Sequence, residues 1–242
     1  MDGVILAAGA GTRLRPLTNA IPKVIVSVGP YPLAEHVLRG MASCGVDNIV
    51  FVTGFMARKV ENYFGNGSIW DVSTSFVKQE EMKGTAHALS VAANLVASTP
   101  FFVSYGDIFL AAPENYDRFL EFHLKGGYDF SIMCNEVDDP SEGAAVYLND
   151  GQVEKLIEKP PKGTSQTNLN KRGILLLDDR IFDLIEDIEP GPGGELYLTD
   201  AVALAIKRGL KVGGYVCSGF SSDVGTPDRL EEARRIYQEN HK

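Results

Sequence analysis

GVILAAGAGTRLRPLTNAIPKVIV, residues 3 to 26, is the stretch from which the rest of the chain can be read. Its first six residues, Gly3 to Ala8, form an apolar run that predicts a buried strand. The run stops at Gly9-Ala10-Gly11, a turn that only small residues allow. Thr12, Arg13, Arg15 and Lys23 follow before the next apolar segment. A tight glycine turn after a strand leaves backbone N–H groups pointing outward, and the cations beside it add positive charge. Together these features predict an anion site, and the anion that suits it is a polyphosphate.

Two familiar phosphate loops do not fit. The dinucleotide fingerprint needs a third glycine where Leu14 stands, and no Gly-Lys-Ser/Thr run of the P-loop kind is present. What remains is LAAGAGTRLRP followed by Pro22-Lys23, and this combination strongly resembles the signature of the sugar-1-phosphate nucleotidyltransferases, or nucleotide-sugar pyrophosphorylases. Within that family the resemblance is to glucose-1-phosphate thymidylyl- and uridylyltransferases and to N-acetylglucosamine-1-phosphate uridylyltransferase domains. It implies an α/β fold: a Rossmann-like, three-layer, mostly parallel mixed sheet with a small sugar-binding β-region. It also implies that Leu6, Ala7, Ala8, Gly9, Gly11, Thr12 and Arg13 bind the nucleotide, with Arg13 and Lys23 catalytic.

Strand and helix signals alternate along the chain. Leu33, Val37, Leu38 and Met41 recur at helical spacing, so residues 33–44 read as an amphipathic helix ended by Gly45. NIVFVT (48–53) is the next buried strand, and strand–helix–strand order implies a parallel pair with a right-handed crossover. A helix is predicted over 55–64 and a third strand over 72–78. A further helix from Thr85 is expected to carry Leu89, Val91, Ala92, Leu95 and Val96 inward. Gln79 and the GTAHA run, residues 84–88, resemble the family's base-recognition loop for UTP or dTTP. That resemblance gives Gln79, Gly84 and Thr85 to the nucleotide. An amide offers both a donor and an acceptor, which suits the imide edge of uracil or thymine. His87 is expected to pack or cap the helix.

FFVSY (101–105) predicts a strand that ends at Gly106-Asp107. An acid at the carboxyl end of a buried strand sits where open α/β sheets bind ligands, and a carboxylate suits magnesium once phosphate oxygens fill other positions. The resemblance makes Asp107 the metal-binding and catalytic aspartate, with a second metal aspartate, Asp223, in the DVGT element; the cofactor implied is Mg2+. Helix 113–125, with His123 among aromatic residues, and strand 128–136 follow. Two apolar runs around Asn149-Asp150-Gly151 predict a hairpin. In the family, the glycine before this hairpin and the EKP after it contact the sugar and its phosphate, which maps onto Gly143, Glu158 and Lys159. Residues 161–167 read as a loop and 173–177 as a strand. A short helix is expected over 180–188, and Thr199 or Asp200 should cap the helix after it. A last strand, 211–217, precedes a helix with Thr226 as N-cap and Pro227 in its first turn.

The chain departs from the family pattern at two places. Lys171 stands where a sugar-binding asparagine is usual, with Asn170 one step earlier, so Asn170 and Lys171 share the sugar-phosphate assignment. Ser221 stands where a tryptophan is usual. Residues 1–242 are expected to form one nucleotidyltransferase domain, with 1–110 as its nucleotide-binding part and about 128–225 as its sugar-phosphate part. The implied substrates are an NTP, UTP or dTTP, and a sugar 1-phosphate of glucose or N-acetylglucosamine type; the products are an NDP-sugar and pyrophosphate. A cytidylyl- or guanylyltransferase acting on another phosphate acceptor, or a catalytically silent regulatory paralogue, is the alternative.

Bulk properties bound the remaining classes. A net charge of −9 with no basic stripe argues against a nucleic-acid partner, and no apolar run approaches membrane-spanning length. The three cysteines, Cys44, Cys134 and Cys217, are far apart and lack CxxC spacing, which argues for a reducing, cytoplasmic setting and against a zinc site. No signal peptide is expected, and homo-oligomerisation is left open.

Overall fold

The computed structural model describes residues 1–241, with Pro192 described in its backbone only. The strands are β1 (Asp2–Ala7), β2 (Ser27–Val28), β3 (Tyr31–Pro32), β4 (Asn48–Thr53), β5 (Ser73–Lys78), β6 (Phe101–Tyr105), β7 (Ile108–Leu110), β8 (Phe130–Glu136), β9 (Ala144–Asn149), β10 (Gln152–Glu158), β11 (Leu169–Leu177), β12 (Val212–Val216) and β13 (Ser221–Asp223). The α-helices are α1 (Leu33–Ser43), α2 (Ala57–Phe64), α3 (Thr85–Ser90), α4 (Asn115–Gly126), α5 (Arg180–Glu186), α6 (Leu198–Lys207) and α7 (Pro227–Asn240).

Nine strands form one sheet in the order β5-β4-β1-β6-β11-β8-β12-β10-β9. From β5 to β6 every pairing is parallel, and β8 and β12 are also parallel. The antiparallel pairings are those of β11 with β6, β8 and β9, and of β10 with β9 and β12. The expected mixed sheet is therefore present, and every antiparallel pairing in it involves β10 or β11.

The central strands are buried on both faces, which explains their unbroken apolar runs. Alternate residues of β4, Ile49 and Phe51 against Val50 and Val52, enter two separate cores. One core lies under α1, α2 and α4, the other under α3, α5 and α6. This makes three layers. A third, smaller cluster joins α7 to β2 and the β7–β13 ribbon through Val28, Phe109, Val224, Leu230 and Ala233.

The chain order fixes where a ligand goes. β1 is flanked by β4, reached through α1, and by β6, reached later from the far edge. Connections leave β1 in opposite directions, and that switch point opens a crevice at the strands' carboxyl ends. The Ala8–Gly11 turn lies there, and Asp107 follows β6 into the same crevice.

Three local expectations change. Asp150 and Gly151 form the hairpin turn as expected, both with positive φ, but the strand expected from Gly173 begins at Leu169. Asn170, Lys171 and Arg172 are thus strand residues with alternating faces. The helix from Thr85 closes at Ser90, and Leu95, on a following 3-10 turn, is 40% exposed. Neither Thr199 nor Asp200 caps α6: the helix starts at Leu198, whose N–H is taken by the Thr85 hydroxyl at 3.0 Å. Thr226 does cap α7, accepting from the Arg229 N–H.

Candidate active site

A cavity of about 350 Å3 opens at the carboxyl ends of β1 and β6, within the usual size of small-molecule sites. Leu6, Ala7, Ala8, Gly9 and Ala10 form one wall, Lys23 and Asp107 another, and Gln79, Gly84 and Thr85 a third. Most of the residues predicted to hold the nucleotide therefore line one cavity; Gly11, Thr12 and Arg13 lie just beyond its lining.

The glycine turn is held by packing. Gly11 has φ +60°, and a Cβ there would lie 2.8 Å from the Lys23 Cβ, so only glycine lets the two segments touch. The Thr18 hydroxyl donates to the Gly11 carbonyl at 2.8 Å. Among the described residues, the N–H groups of Gly9, Ala10 and Gly11 have no protein acceptor, which leaves them for a ligand. A side chain at Gly9 would meet no protein atom, so the glycine leaves open space above the turn. Arg13 is exposed, and its guanidinium lies over the backbone of Gly225 in the DVGT element.

Lys23 and Asp107 form an ion pair beneath the turn, each side chain mostly buried. Asp107 is positioned twice by backbone: Gly106 N–H donates to the Leu6 carbonyl at 2.9 Å, and Val224 N–H to the Asp107 carbonyl at 2.9 Å. Asp223 is next to it on the β7–β13 ribbon, paired in register with Ile108. Its surroundings differ from the expectation of a shared metal. One carboxylate oxygen accepts from Arg172 at 3.2 Å and the other from Arg229 at 2.7 Å. Burial pushes the Arg172 guanidinium's pKa down, against the Asp223 charge that supports it.

The base loop is clamped from beneath. Gly84 has φ +99° and ψ −179°, a conformation open essentially to glycine alone. A Cβ there would lie 2.4 Å from the Leu196 carbonyl oxygen. Leu196 N–H donates to the Lys83 carbonyl at 2.8 Å and Ala86 N–H to the Leu196 carbonyl at 2.9 Å. Thr85 spends its hydroxyl oxygen on Leu198 N–H, so its role is partly structural. Gln79 is 3% exposed, and its Nε2 donates to the Gly84 carbonyl at 3.1 Å and to His87 Nδ1 at 3.0 Å.

The sugar-side residues converge less tightly. Lys159 has φ +44°, uncommon for a side-chain-bearing residue. That conformation, with its N–H on the Gly143 carbonyl at 2.7 Å, carries Nζ to the Tyr197 hydroxyl at 3.2 Å. Burial alone would lower the Lys159 pKa, but Tyr197, Glu158 and Glu195 outweigh it and the pKa is raised. Burial, with Glu158 nearby, raises the Asp200 carboxyl. Gly143 exists to admit Asn170, whose Oδ1 would lie 2.1 Å from a Cβ there and which accepts from Ala144 N–H at 3.0 Å. Lys171 is 8% exposed and has no carboxylate partner among the described residues. Its Nζ donates to the Tyr105 hydroxyl at 3.3 Å and sits 5.0 Å from the Tyr105 ring centroid. Tyr105 lines the nucleotide-side cavity, so Lys171 is behind that wall. Gly143, Asn170, Arg172, Asp223 and Arg229 line a neighbouring cavity of about 430 Å3.

Sequence reasoning left out Tyr105, Arg172, Tyr197 and Arg229. Tyr105 and Tyr197 flank motifs that it did read, but lone tyrosines and arginines carry no spacing signal. Only the tertiary fold brings them to the site.

A low-salt glycan biosynthesis nucleotidyltransferase, Agl11, from Haloferax volcanii is 32% identical across 99% of this chain, which covers 67% of it. A bifunctional GlmU protein from Methanococcus maripaludis is 31% identical over 94% of this chain, which spans about half, 52%, of that relative. A crystal structure of UDP-glucose pyrophosphorylase with UDP-glucose superposes with a TM-score of 0.88 at 25% identity, covering 98% of each chain. The model of the nucleotidyl transferase family matches residues 2–240, and the chain belongs to that family.

Proposed function

We propose that the protein joins UTP or dTTP to a sugar 1-phosphate, of glucose or N-acetylglucosamine type, giving an NDP-sugar and pyrophosphate. One observation carries this reading. The Gln79 amide, an open glycine turn and the Lys23–Asp107 pair line a single cavity, with Lys171 behind its Tyr105 wall.

The reaction is an in-line displacement. An oxygen of the sugar phosphate attacks the α-phosphorus; the new P–O bond forms as the bond to the β-phosphate oxygen breaks, and pyrophosphate leaves. The nucleophile is already an anion, so no general base is required. The difficulty is gathering anions and spreading charge, which positioning and fixed dipoles supply. The N–H groups of Gly9 to Gly11 and Arg13 take the β- and γ-phosphates, and Lys23 lies toward the α-phosphate. Lys159 and Lys171 flank the sugar phosphate, and Glu158, Gly143 and Asn170 take sugar hydroxyls. The Asn170 oxygen already accepts from Ala144 N–H, so its amide nitrogen is the part left for the sugar.

The donor set fits magnesium at Asp107. One carboxylate oxygen meets Lys23 and the other has no protein partner among the described residues. Such an ion uses one or two carboxylates and completes its shell with phosphate oxygens and water. No cluster of three or more metal-binding side chains exists among the described residues. Asp223 fits poorly, because both oxygens already carry arginines. The ion's chemistry when bound is neutralisation of the phosphate charge. The free cysteines suit a cytoplasmic setting, and among the described residues no helix is long and apolar enough to cross a membrane.

The test is a matrix of the common NTPs against sugar 1-phosphates, read by pyrophosphate release. Turnover with UTP or dTTP and a glucose- or N-acetylglucosamine-type acceptor is expected. Nucleotide binding without pyrophosphate release from any sugar phosphate would overturn it.

A further inference from the structure

We infer that His87 is a positioning residue that selects the base, by holding the Gln79 amide in the one orientation that accepts a proton from uracil or thymine. The inference rests on the pyrimidine-nucleotide reading above.

A glutamine amide is ambiguous, because half a turn exchanges its acceptor and its donor. In this site the ambiguity is removed. The Gly84 carbonyl can only accept, so the atom 3.1 Å from it must be the Gln79 nitrogen. The same nitrogen lies 3.0 Å from His87 Nδ1. Its second proton therefore goes to the imidazole, which must carry its own proton on Nε2. Both amide protons are then spent, and Gln79 has only Oε1 to offer the cavity that it lines.

An acceptor at that point pairs with the N3–H of uracil or thymine. It faces the bare N3 of cytosine, where two lone pairs meet. Turning the amide for cytosine would set Oε1 against the Gly84 carbonyl, and His87 could follow only by moving its proton from Nε2 to Nδ1. The backbone carbonyl is common to any residue at position 84, whereas the second acceptor is a side chain. His87 is half-buried on the first turn of α3, next to the glycine that the Leu196 backbone clamps. The imidazole therefore has a fixed place from which to act. The sequence-based expectation that His87 merely packs or caps misses this contact, because the two residues are eight apart across a loop.

The experiment measures kcat/KM for UTP, dTTP and CTP with one acceptor in the wild type and three variants. His87→Ala and His87→Phe remove the Nδ1 acceptor, the second with little loss of volume. His87→Asn puts a carbonyl oxygen close to the position of Nδ1. In the Ala and Phe variants the pyrimidine preference, UTP or dTTP over CTP, is expected to fall about tenfold, near the worth of one hydrogen bond. The change should appear in KM rather than kcat. His87→Asn should keep the wild-type ratio within about twofold. A purely structural role would lower turnover with all three nucleotides and leave the ratio alone, so an unchanged ratio in Ala and Phe overturns the inference. Loss of the ratio in Asn to the same extent as in Ala overturns it too. If the wild type itself prefers CTP or a purine nucleotide, the base reading fails, and the amide assignment fails with it.

Discussion

Lys171→Met should leave the protein at least as stable and make it less active. The Lys171 ammonium is buried with no carboxylate partner among the described residues; it has one hydroxyl at 3.3 Å and one ring at 5.0 Å. A hydrogen bond from a charged donor contributes about 1.5–3 kcal/mol, and a desolvated cation–π contact about 2 kcal/mol. Against these stands the loss of hydration of a buried ion, several kcal/mol even after relaxation. Methionine fills nearly the same volume without the charge, so the unliganded variant should hold its stability or gain up to about 2 kcal/mol. For a chain of this size that corresponds to a rise of up to roughly 8 °C in Tm. On the proposed function the missing counter-ion is the incoming sugar phosphate, and one charge-assisted contact is worth about 1.5–3 kcal/mol. kcat/KM for the sugar phosphate should then fall about 10- to 100-fold, with KM for the NTP little changed. Thermal denaturation without ligand and steady-state kinetics on both substrates measure the two effects. A Tm below that of the wild type would refute the missing-counter-ion argument. An unchanged kcat/KM would remove Lys171 from the acceptor site.

Three further outcomes follow from the same geometry. Gly84→Ala places a methyl group 2.4 Å from the Leu196 oxygen in a conformation that costs side-chain residues about 1–3 kcal/mol; lower Tm and a raised KM for the NTP are expected in denaturation and initial-rate assays. Asp107→Ala should reduce turnover on the order of 10²–10³-fold while the protein stays folded, and wild-type turnover in that variant would contradict the metal assignment. Burial raises the Asp2 carboxyl, but Asn48 and the N–H groups of Ala97 and Ser98 outweigh it, so its pKa is lowered on folding. Its stabilisation is therefore present above the unfolded value of about 3.9 and is lost as pH falls through the folded value. Asp2→Asn should cost about 1–3 kcal/mol at neutral pH, and urea titrations in acid should find the two proteins converging.

Much of the fold was legible because burial writes itself into local pattern. β1, β4 and β6 are short apolar runs since both faces are covered, and Asp150-Gly151 marks its hairpin by the positive φ that both residues adopt. Leu95 was misread because helical spacing continues past Ser90, where the backbone tightens into a 3-10 turn. The start of α6 was misread because its cap comes from Thr85, across the fold and not from the neighbouring sequence.

The site divides along the same line. The glycine turn, Lys23 and Asp107 are legible in sequence, because phosphate binding needs backbone N–H groups and charge at short range. That small set at close spacing is enough to fix the reaction class. Which groups remain free to act is a tertiary matter. Asp223 is an acid in a recognisable element, yet two arginines from β11 and α7 hold its oxygens. Lys171 is one residue in a run of polar side chains until β11 buries it against Tyr105. Gln79 is an amide with two possible faces until Gly84 and His87 take both of its protons. Hydrogen-bond and charge pairing act over about 3–4 Å regardless of separation along the chain, so only folding decides which partners each group meets.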